Sequence, residues 1–311
     1  MGFCGQEVKT GAMTETMTPV PAGCVVVGVD GSEGADAALD WATDHARLTH
    51  RTLALVHGWD SVPSVWLDQV GADPVTLQAE IRAAGAEVVA TAAQRVSERA
   101  PEVEVLPVVR HADARALLAG RAAHAEVTVV GSRGRGPISS LLLGSVSSAV
   151  AGHATGPVVV VRPGGPAPGE GRGVLVAVDG EEGCRPPLEA AYDAAAVRGL
   201  PLTVLHCTFD ARIAAGGAVT ADLRQQAEEE ARLVVAEAVS GLAEKYPDVD
   251  VHVRTIFGHV ESELLRVAHD ADLVVVGNHR RNPLAAALLG SVSRTFLEHA
   301  HGAVMVVPEG D

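Results

Sequence analysis

Val25-Val-Val-Gly-Val-Asp-Gly-Ser32 returns 149 residues later as Val174-Leu-Val-Ala-Val-Asp-Gly-Glu181, and Leu53-Ala-Leu-Val-His57 returns at the same offset as Leu202-Thr-Val-Leu-His206. Further on, Val127-Thr-Val-Val-Gly131 matches Leu273-Val-Val-Val-Gly277, Leu143-Gly-Ser-Val-Ser147 matches Leu289-Gly-Ser-Val-Ser293, and Gly156-Pro-Val-Val-Val-Val161 matches Gly302-Ala-Val-Met-Val-Val307, now at an offset of 146. Self-similarity at a nearly constant offset means one folding unit written twice. Between the copies, Arg162 to Gly173 is too rich in Pro and Gly to hold a helix or a ladder. The expected organisation is a dispensable leader over 1–21, a first domain over 22–163, a linker over 164–172 and a second domain over 173–309.

Within each unit, short β-branched runs without polar alternation suit strands buried on both faces of a parallel sheet, and stretches of helical period separate them. In the first unit the pattern predicts strands near 24–29, 52–57, 103–109, 126–130 and 157–161. Helices are expected near 33–50, 75–99, 112–124 and 145–153. The fold class is therefore α/β, with two tandem doubly wound, five-stranded parallel units of strand order 3-2-1-4-5. In such a sheet a ligand sits beyond the carboxyl ends of the strands where the order reverses, here between strands 1 and 4. That rule singles out Asp30-Gly31-Ser32 and the loop Gly131 to Gly136.

The chain's 311 residues accommodate two domains of ordinary size, each with its own core. A net charge of −15 argues against a general nucleic-acid or anionic-membrane binder, so any phosphate must be caught locally. Cys4, Cys24, Cys184 and Cys207 never approach C-x-x-C spacing, which removes support for zinc or thioredoxin-like chemistry. No apolar run is long enough to span a bilayer, and Met1 to Thr18 lacks an apolar secretory segment. The expected location is cytoplasmic. Met13 and Met17 are alternative starts within a leader that the fold does not need.

The second loop reads Gly131-x-x-Gly134, nine residues, then Gly144-Ser145-Val146-Ser147 opening a helix. Glycines allow close backbone approach to a ligand, and a helix start with Ser145 at its head aims N–H groups at an anion. Arg133 and Arg135 add local positive charge. The bland alternative is a Gly-rich turn with Ser145 as an ordinary cap. The pattern is not a Walker loop, because no Gly-Lys-Ser/Thr exists, and not G-x-G-x-x-G. The G-x-S-x-G elbow of hydrolases is absent too.

Together with Val29-Asp30-Gly31-Ser32, this glycine pattern resembles the universal stress protein family, and the doubled layout resembles its tandem members. The resemblance spans roughly residues 22–308 and is to the ATP-binding branch. It implies that Asp30 serves the adenine and ribose end, and that Val56-His57 at the end of strand 2 serves the adenine pocket. It further implies that Gly131 and Gly134 serve ribose and phosphates, and that Gly144, Ser145, Val146 and Ser147 cradle the phosphates, with ATP accompanied by Mg. Asp179, Gly277, Gly290, Ser291, Val292 and Ser293 are the counterparts in the second unit. The family implication is a stress-linked, nucleotide-binding regulator without strong turnover. Its last strand often mediates dimers, so either a homo-oligomer or pairing of the two repeats through Val158–Val161 and Val304–Val307 is expected.

Several residues keep two readings at this level. Asp30 is also a common turn former before Gly. His57 and His206 suit structural histidines better than catalytic bases, since no Ser or Cys partner stands at matching spacing. Trp59 and Trp66, assigned to the loop Gly58 to Pro74, suit packing better than a lid over adenine. A slow ATP hydrolase or adenylyl-transfer enzyme and a nucleotide-free interaction scaffold remain alternatives. In the second unit Arg280 replaces Gly134 and Glu181 replaces Ser32, so the second cradle should be the weaker.

Overall fold

Alternate residues of β1 (Val25–Gly28) point to opposite faces of the sheet, and both faces are covered: Val25 and Val27 enter one apolar cluster, Cys24 and Val26 the other. The computed structural model describes residues 20–60, 73–134, 143–166, 169–178, 182–208, 225, 229, 232, 233, 235–257, 260–278 and 290–308. The first unit continues through α1 (Glu33–Thr49), β2 (Leu53–Trp59), α2 (Pro74–Arg99), β3 (Val105–His111), α3 (Ala114–Ala122), β4 (Val127–Gly131), α4 (Ser145–His153) and β5 (Val158–Val161). The second contains β6 (Val174–Val178), α5 (Arg185–Arg198), β7 (Leu202–Thr208), α6 (Leu242–Lys245), β8 (Val251–Phe257), α7 (Val260–Ala268), β9 (Leu273–Asn278), α8 (Ser291–His299) and β10 (Ala303–Pro308).

Within the first unit the strand order is 3-2-1-4-5 and every pairing is parallel, as the repeat and the switch-point rule predict. Some boundaries differ from expectation for local reasons. Strand β2 runs on through Gly58 and Trp59 because these pair with Arg110 and His111 of β3. Trp59 is thus a strand residue stacked on His111 at 4.2 Å, not part of a loop; Trp66 lies outside the described residues. Helix α3 begins at Ala114 rather than 112 because the Asp113 carboxylate accepts the Arg115 N–H and caps it. Helix α1 stops at Thr49, and His50 closes it in the left-handed region at φ 53°.

The last strands of the two units pair antiparallel, Val161 opposite Ala303 and Val158 opposite Val306, which joins both sheets into one of ten strands. Both apolar clusters consequently run through both repeats. On one face of this seam α1 and α5 meet. There the Arg198 guanidinium lies 4.8 Å over the Trp41 ring and donates to His45 Nδ1 at 3.1 Å. Because a guanidinium only donates, Nδ1 is the unprotonated nitrogen, and Nε2–H faces Glu126 Oε1 at 3.4 Å. Arg162 reaches across the same seam and donates to the carbonyls of Leu297 and Ala300 at the end of α8, each at 2.7 Å.

The linker is held rather than loose. Asp272, the counterpart of Glu126, accepts the N–H groups of Gly169, Gly171 and Gly173 at 2.8, 3.1 and 2.8 Å.

Burial holds His45 below its usual pKa, against the opposing pull of Glu126, while Arg198 and Arg51 push in the same direction as burial. At neutral pH the residue is uncharged in both folded and unfolded chains. Below about pH 6.5 the unfolded chain takes up a proton first, so stability falls as pH drops through that range. Urea unfolding at pH 7.5 and 5.5 should show a larger loss for the wild type than for His45→Gln. Equal losses would remove His45 from the pH response.

Candidate functional site

The loops after β1 and β4 are pressed together at backbone distance. A Cβ on Gly34 would stand 2.4 Å from the Arg133 carbonyl oxygen, and one on Gly131 would stand 2.4 Å from the Gly34 carbonyl. Real Cβ atoms do not tolerate such contacts, so both positions require glycine for close approach. A Cβ on Gly134 would meet Asp30 Oδ2 at 2.5 Å, which places the first unit's acidic loop directly against its glycine loop. The switch-point prediction thus brings Asp30, Gly131 and Gly134 together.

Each polar group here has a defined local role. Asp30 Oδ1 accepts both the N–H and the hydroxyl of Ser32, at 2.9 and 2.6 Å, and Ser32 Oγ accepts the Ala35 N–H at 3.3 Å. Ser32 is therefore the cap of α1, and this turn fixes how Asp30 is presented. Gly31 is exposed at the tip, and Arg133 is exposed beside Gly134. Arg133 also lies near Arg162, whose guanidinium is pushed below its ordinary pKa mainly by burial and secondarily by this neighbour. Arg133 and Arg162 thus bring two cations to the corner where the Asp30 carboxylate also stands.

At α4 the cap is Gly144, not Ser145: Gly144 has extended backbone and no side-chain cap bond, and Ser145 is the first helical residue, exposed. Ser145 therefore contributes its backbone N–H and an outward hydroxyl rather than the cap. Ser147 is buried and donates its hydroxyl to the carbonyls of Ser132 and Gly144 at 3.2 and 3.0 Å, while Gly144 N–H donates to Ser132 O at 2.8 Å. These bonds tie the helix start to the end of β4. With the cap side chain missing, the N–H groups of Ser145, Val146 and Ser147 form the open head of the helix.

The end of strand 2 backs this site. Val56 is buried and its carbonyl accepts the Val29 N–H at 3.0 Å. His57 Nδ1–H donates to the Val29 carbonyl at 2.7 Å, and Gly85 of α2 packs against the ring edge, where a Cβ would lie 2.8 Å from Cδ2. His206 repeats the bond to Val178 O at 3.0 Å. Both histidines act as clasps between strands 1 and 2 of their units. A cleft of about 610 Å³ lies beside this corner, between Val29 and Gly31 on one side and Val88 and Thr91 of α2 on the other.

The second unit preserves the helix head. Gly290 caps α8 without a side-chain bond, Ser291 and Val292 follow, and buried Ser293 donates to Gly277 O at 2.6 Å. Its first helix differs, however. A 3-10 turn over Glu182–Cys184 precedes α5, with Pro186 and Pro187 in the opening turn where a missing N–H costs nothing. Asp179, Glu181 and Arg280 lie outside the described residues, as does Arg135.

Gly34 and two buried polar residues were not apparent in the sequence. Ser132 Oγ and Asn278 Oδ1 occupy equivalent places at the ends of β4 and β9, each in a residue 1% exposed, and neither atom has a hydrogen-bond partner among the described residues. Their equivalence in the repeat alignment is the cue that would have found them.

Comparison with known proteins identifies the family. The model of the universal stress protein family matches residues 24–162 and again 172–308, so the chain belongs to the universal stress protein family, with two copies of its domain. A universal stress protein of Mycolicibacterium smegmatis is 33% identical over 287 residues, covering 91% of this chain and 96% of that protein. One from Mycobacterium tuberculosis strain H37Rv is 33% identical over 301 residues with the same coverage. The crystal structure of a universal stress protein from Archaeoglobus fulgidus shares the fold with a TM-score of 0.63 at 21% identity, over 92% of this chain and 98% of that one. No helix among the described residues is long and apolar enough to cross a membrane.

The backbone contact at Gly34 yields a paired prediction. Gly34→Ala should destabilise the protein by about 1–3 kcal/mol, since neither backbone can yield. Gly120→Ala should stabilise it by up to about 1 kcal/mol, because Gly120 is helical, exposed and has no heavy atom near its Cβ position. Thermal unfolding of both variants checks the pair; similar midpoints would contradict the close packing of the two loops.

Proposed function

We propose that this protein is a regulatory adenine-nucleotide binder of the stress response, with ATP held between the loops after β1 and β4 of the first repeat and more weakly at the corresponding corner of the second. The observation that carries this reading is the open head of α4, capped by a glycine with no side-chain bond and set against a glycine loop that a Cβ would fill. Such a helix head presents several N–H groups and a positive dipole end to a phosphate. Arg133 at the same corner supplies an exposed cation.

Asp30 is the carboxylate placed to serve the ribose or a phosphate-bound Mg, which would keep most of its ligands as phosphate oxygens and water. The cleft beside Gly31, with Val29 and Val88 as apolar walls, has room for a purine base. Bound ATP would bring the metal charge that neutralises its phosphates; the chain's own part is to hold and orient it. His57 is a poor general base, since one ring nitrogen is committed to the Val29 carbonyl and α2 packs against the opposite edge. The fit favours a binding and signalling role over turnover.

Gly134→Glu would set a longer, negative side chain against Asp30 and the phosphates. Calorimetric titration of the full chain with Mg-ATP should give one tight equivalent in the wild type, lost in Gly134→Glu while circular dichroism stays unchanged. Unchanged ATP binding in that folded variant would refute the site.

The second repeat has Arg280 in place of Gly134 and Glu181 in place of Ser32. Steric bulk and like charge outweigh what the Arg280 guanidinium can return, so the second equivalent should bind about tenfold more weakly or worse. Two equivalents of equal affinity would show that Arg280 replaces the lost glycine.

A further inference from the structure

We propose that the cavity between the two repeats is a second binding site, for a small organic carboxylate with an apolar body. This inference is independent of the nucleotide reading. The cavity, about 530 Å³, opens on the α1/α5 face of the seam, with Val161 of β5 and Ala303 of β10 among its lining residues. That volume lies within the range of sites for small organic molecules.

Its charges do not cancel locally. Three acids line it, and each is committed elsewhere. Asp44 is held by a two-pronged bond from Arg99 at 3.1 and 2.7 Å, Asp40 by one from Arg95 at 2.8 and 2.6 Å, and Asp272 by the linker N–H groups. Two cations on the wall are not matched in this way. Arg47, exposed in the last turn of α1, makes no ion pair among the described residues. Among the described residues Arg198 bonds a neutral imidazole and a ring face and is hydrogen-bonded to no carboxylate, and its Nη1 has no hydrogen-bond acceptor. A guanidinium on the cavity wall that has no carboxylate partner gains a charge-assisted bond from one that enters. In keeping with this, burial pushes Arg198 down to about 10, although Asp272, Asp44 and Glu126 all oppose the change.

The remaining wall is apolar. Trp41, Leu48 and Leu200 line it, and Leu48 is one of few large apolar side chains left exposed among the described residues, at 40%. An apolar body covering Leu48 would gain the usual burial energy, while its carboxylate met Arg47 and Arg198. The combination of two cations with an apolar wall selects a carboxylate on a hydrophobic carbon frame over inorganic anions and over neutral molecules.

The test uses the full chain and 3-phenylpropanoate as probe, with 3-phenylpropan-1-ol as the neutral counterpart and inorganic phosphate as the apolar-free anion. Calorimetry should show saturable, one-to-one binding of 3-phenylpropanoate, weakened about tenfold or more by Arg47→Gln and by Arg198→Gln. The alcohol and phosphate should bind about tenfold more weakly or not at all, and saturating Mg-ATP should not displace the probe. Arg47 is exposed, so its variant stays informative even if Arg198→Gln disturbs the seam. The proposal fails if 3-phenylpropanoate does not saturate below ~10 mM, if Arg47→Gln binds it as the wild type does, if the alcohol or phosphate binds equally well, or if ATP competes with it.

Discussion

The pairing of β5 with β10 is the interaction on which the rest of the molecule depends. Each of these strands would otherwise be the outer edge of a five-stranded sheet, a run of valines with unpaired N–H and C=O groups open to any other chain. Four residue pairs close that edge inside one polypeptide and make the two cores continuous across it. The consequence reaches beyond stability. The seam brings α1 of one repeat against α5 of the other, sets Arg198 over Trp41, and turns Arg162 towards the end of α8. Among the described residues the sheet ends at β3 on one side and at β8 on the other. Pro107 within β3 blunts that edge, since it offers no N–H to a docking strand.

Much of the fold was legible because it rests on local patterning and on duplication. The valine runs of β1, β4 and β5 carry their burial on both faces in their composition, and the conserved offset between copies carries the second unit once the first is read. The candidate site rests on topology, since a sheet of order 3-2-1-4-5 has its crevice at the ends of β1 and β4. Illegible were contacts that depend on how two loops are pressed together. Ser145 looked like the cap because Ser is favoured there, yet Gly144 takes the position so that its N–H can bond Ser132 O and Ser147 can reach the same carbonyl. Gly34 reads as an ordinary residue of the first helical turn, yet the Arg133 carbonyl lies where its Cβ would be. The linker's anchoring failed to show for a related reason: its glycines suggest freedom, but Asp272, about a hundred residues away, collects three of their N–H groups.

The duplication also shows how one position serves two ends. Glu126 and Asp272 stand at the same place before the fourth strand of their repeats. Glu126 faces Arg51 and His45 and so joins the relay that crosses the seam. Asp272 turns to the linker instead and fixes the path by which the chain enters β6. A shorter carboxylate beside three glycine N–H groups, and a longer one beside an arginine and an imidazole, are each matched to the reach their partners require.

A net charge of −15 sets a limit on how such a protein can hold a polyanion. Long-range attraction works against it, so the force must be short in range and oriented. Backbone N–H groups meet that requirement, because they carry partial positive charge without a mobile side chain and without a compensating acid nearby. The geometry around α4 is consistent with that constraint: a cap without a side chain, a hydroxyl at Ser147 turned inward to brace the loop, and glycines where a Cβ would close the approach. Arg133 then adds charge only at the rim, where it can meet a ligand without imposing a field on the whole surface. Phosphate held through main-chain N–H groups needs no broad basic face, which is the feature that nucleic-acid binders depend on.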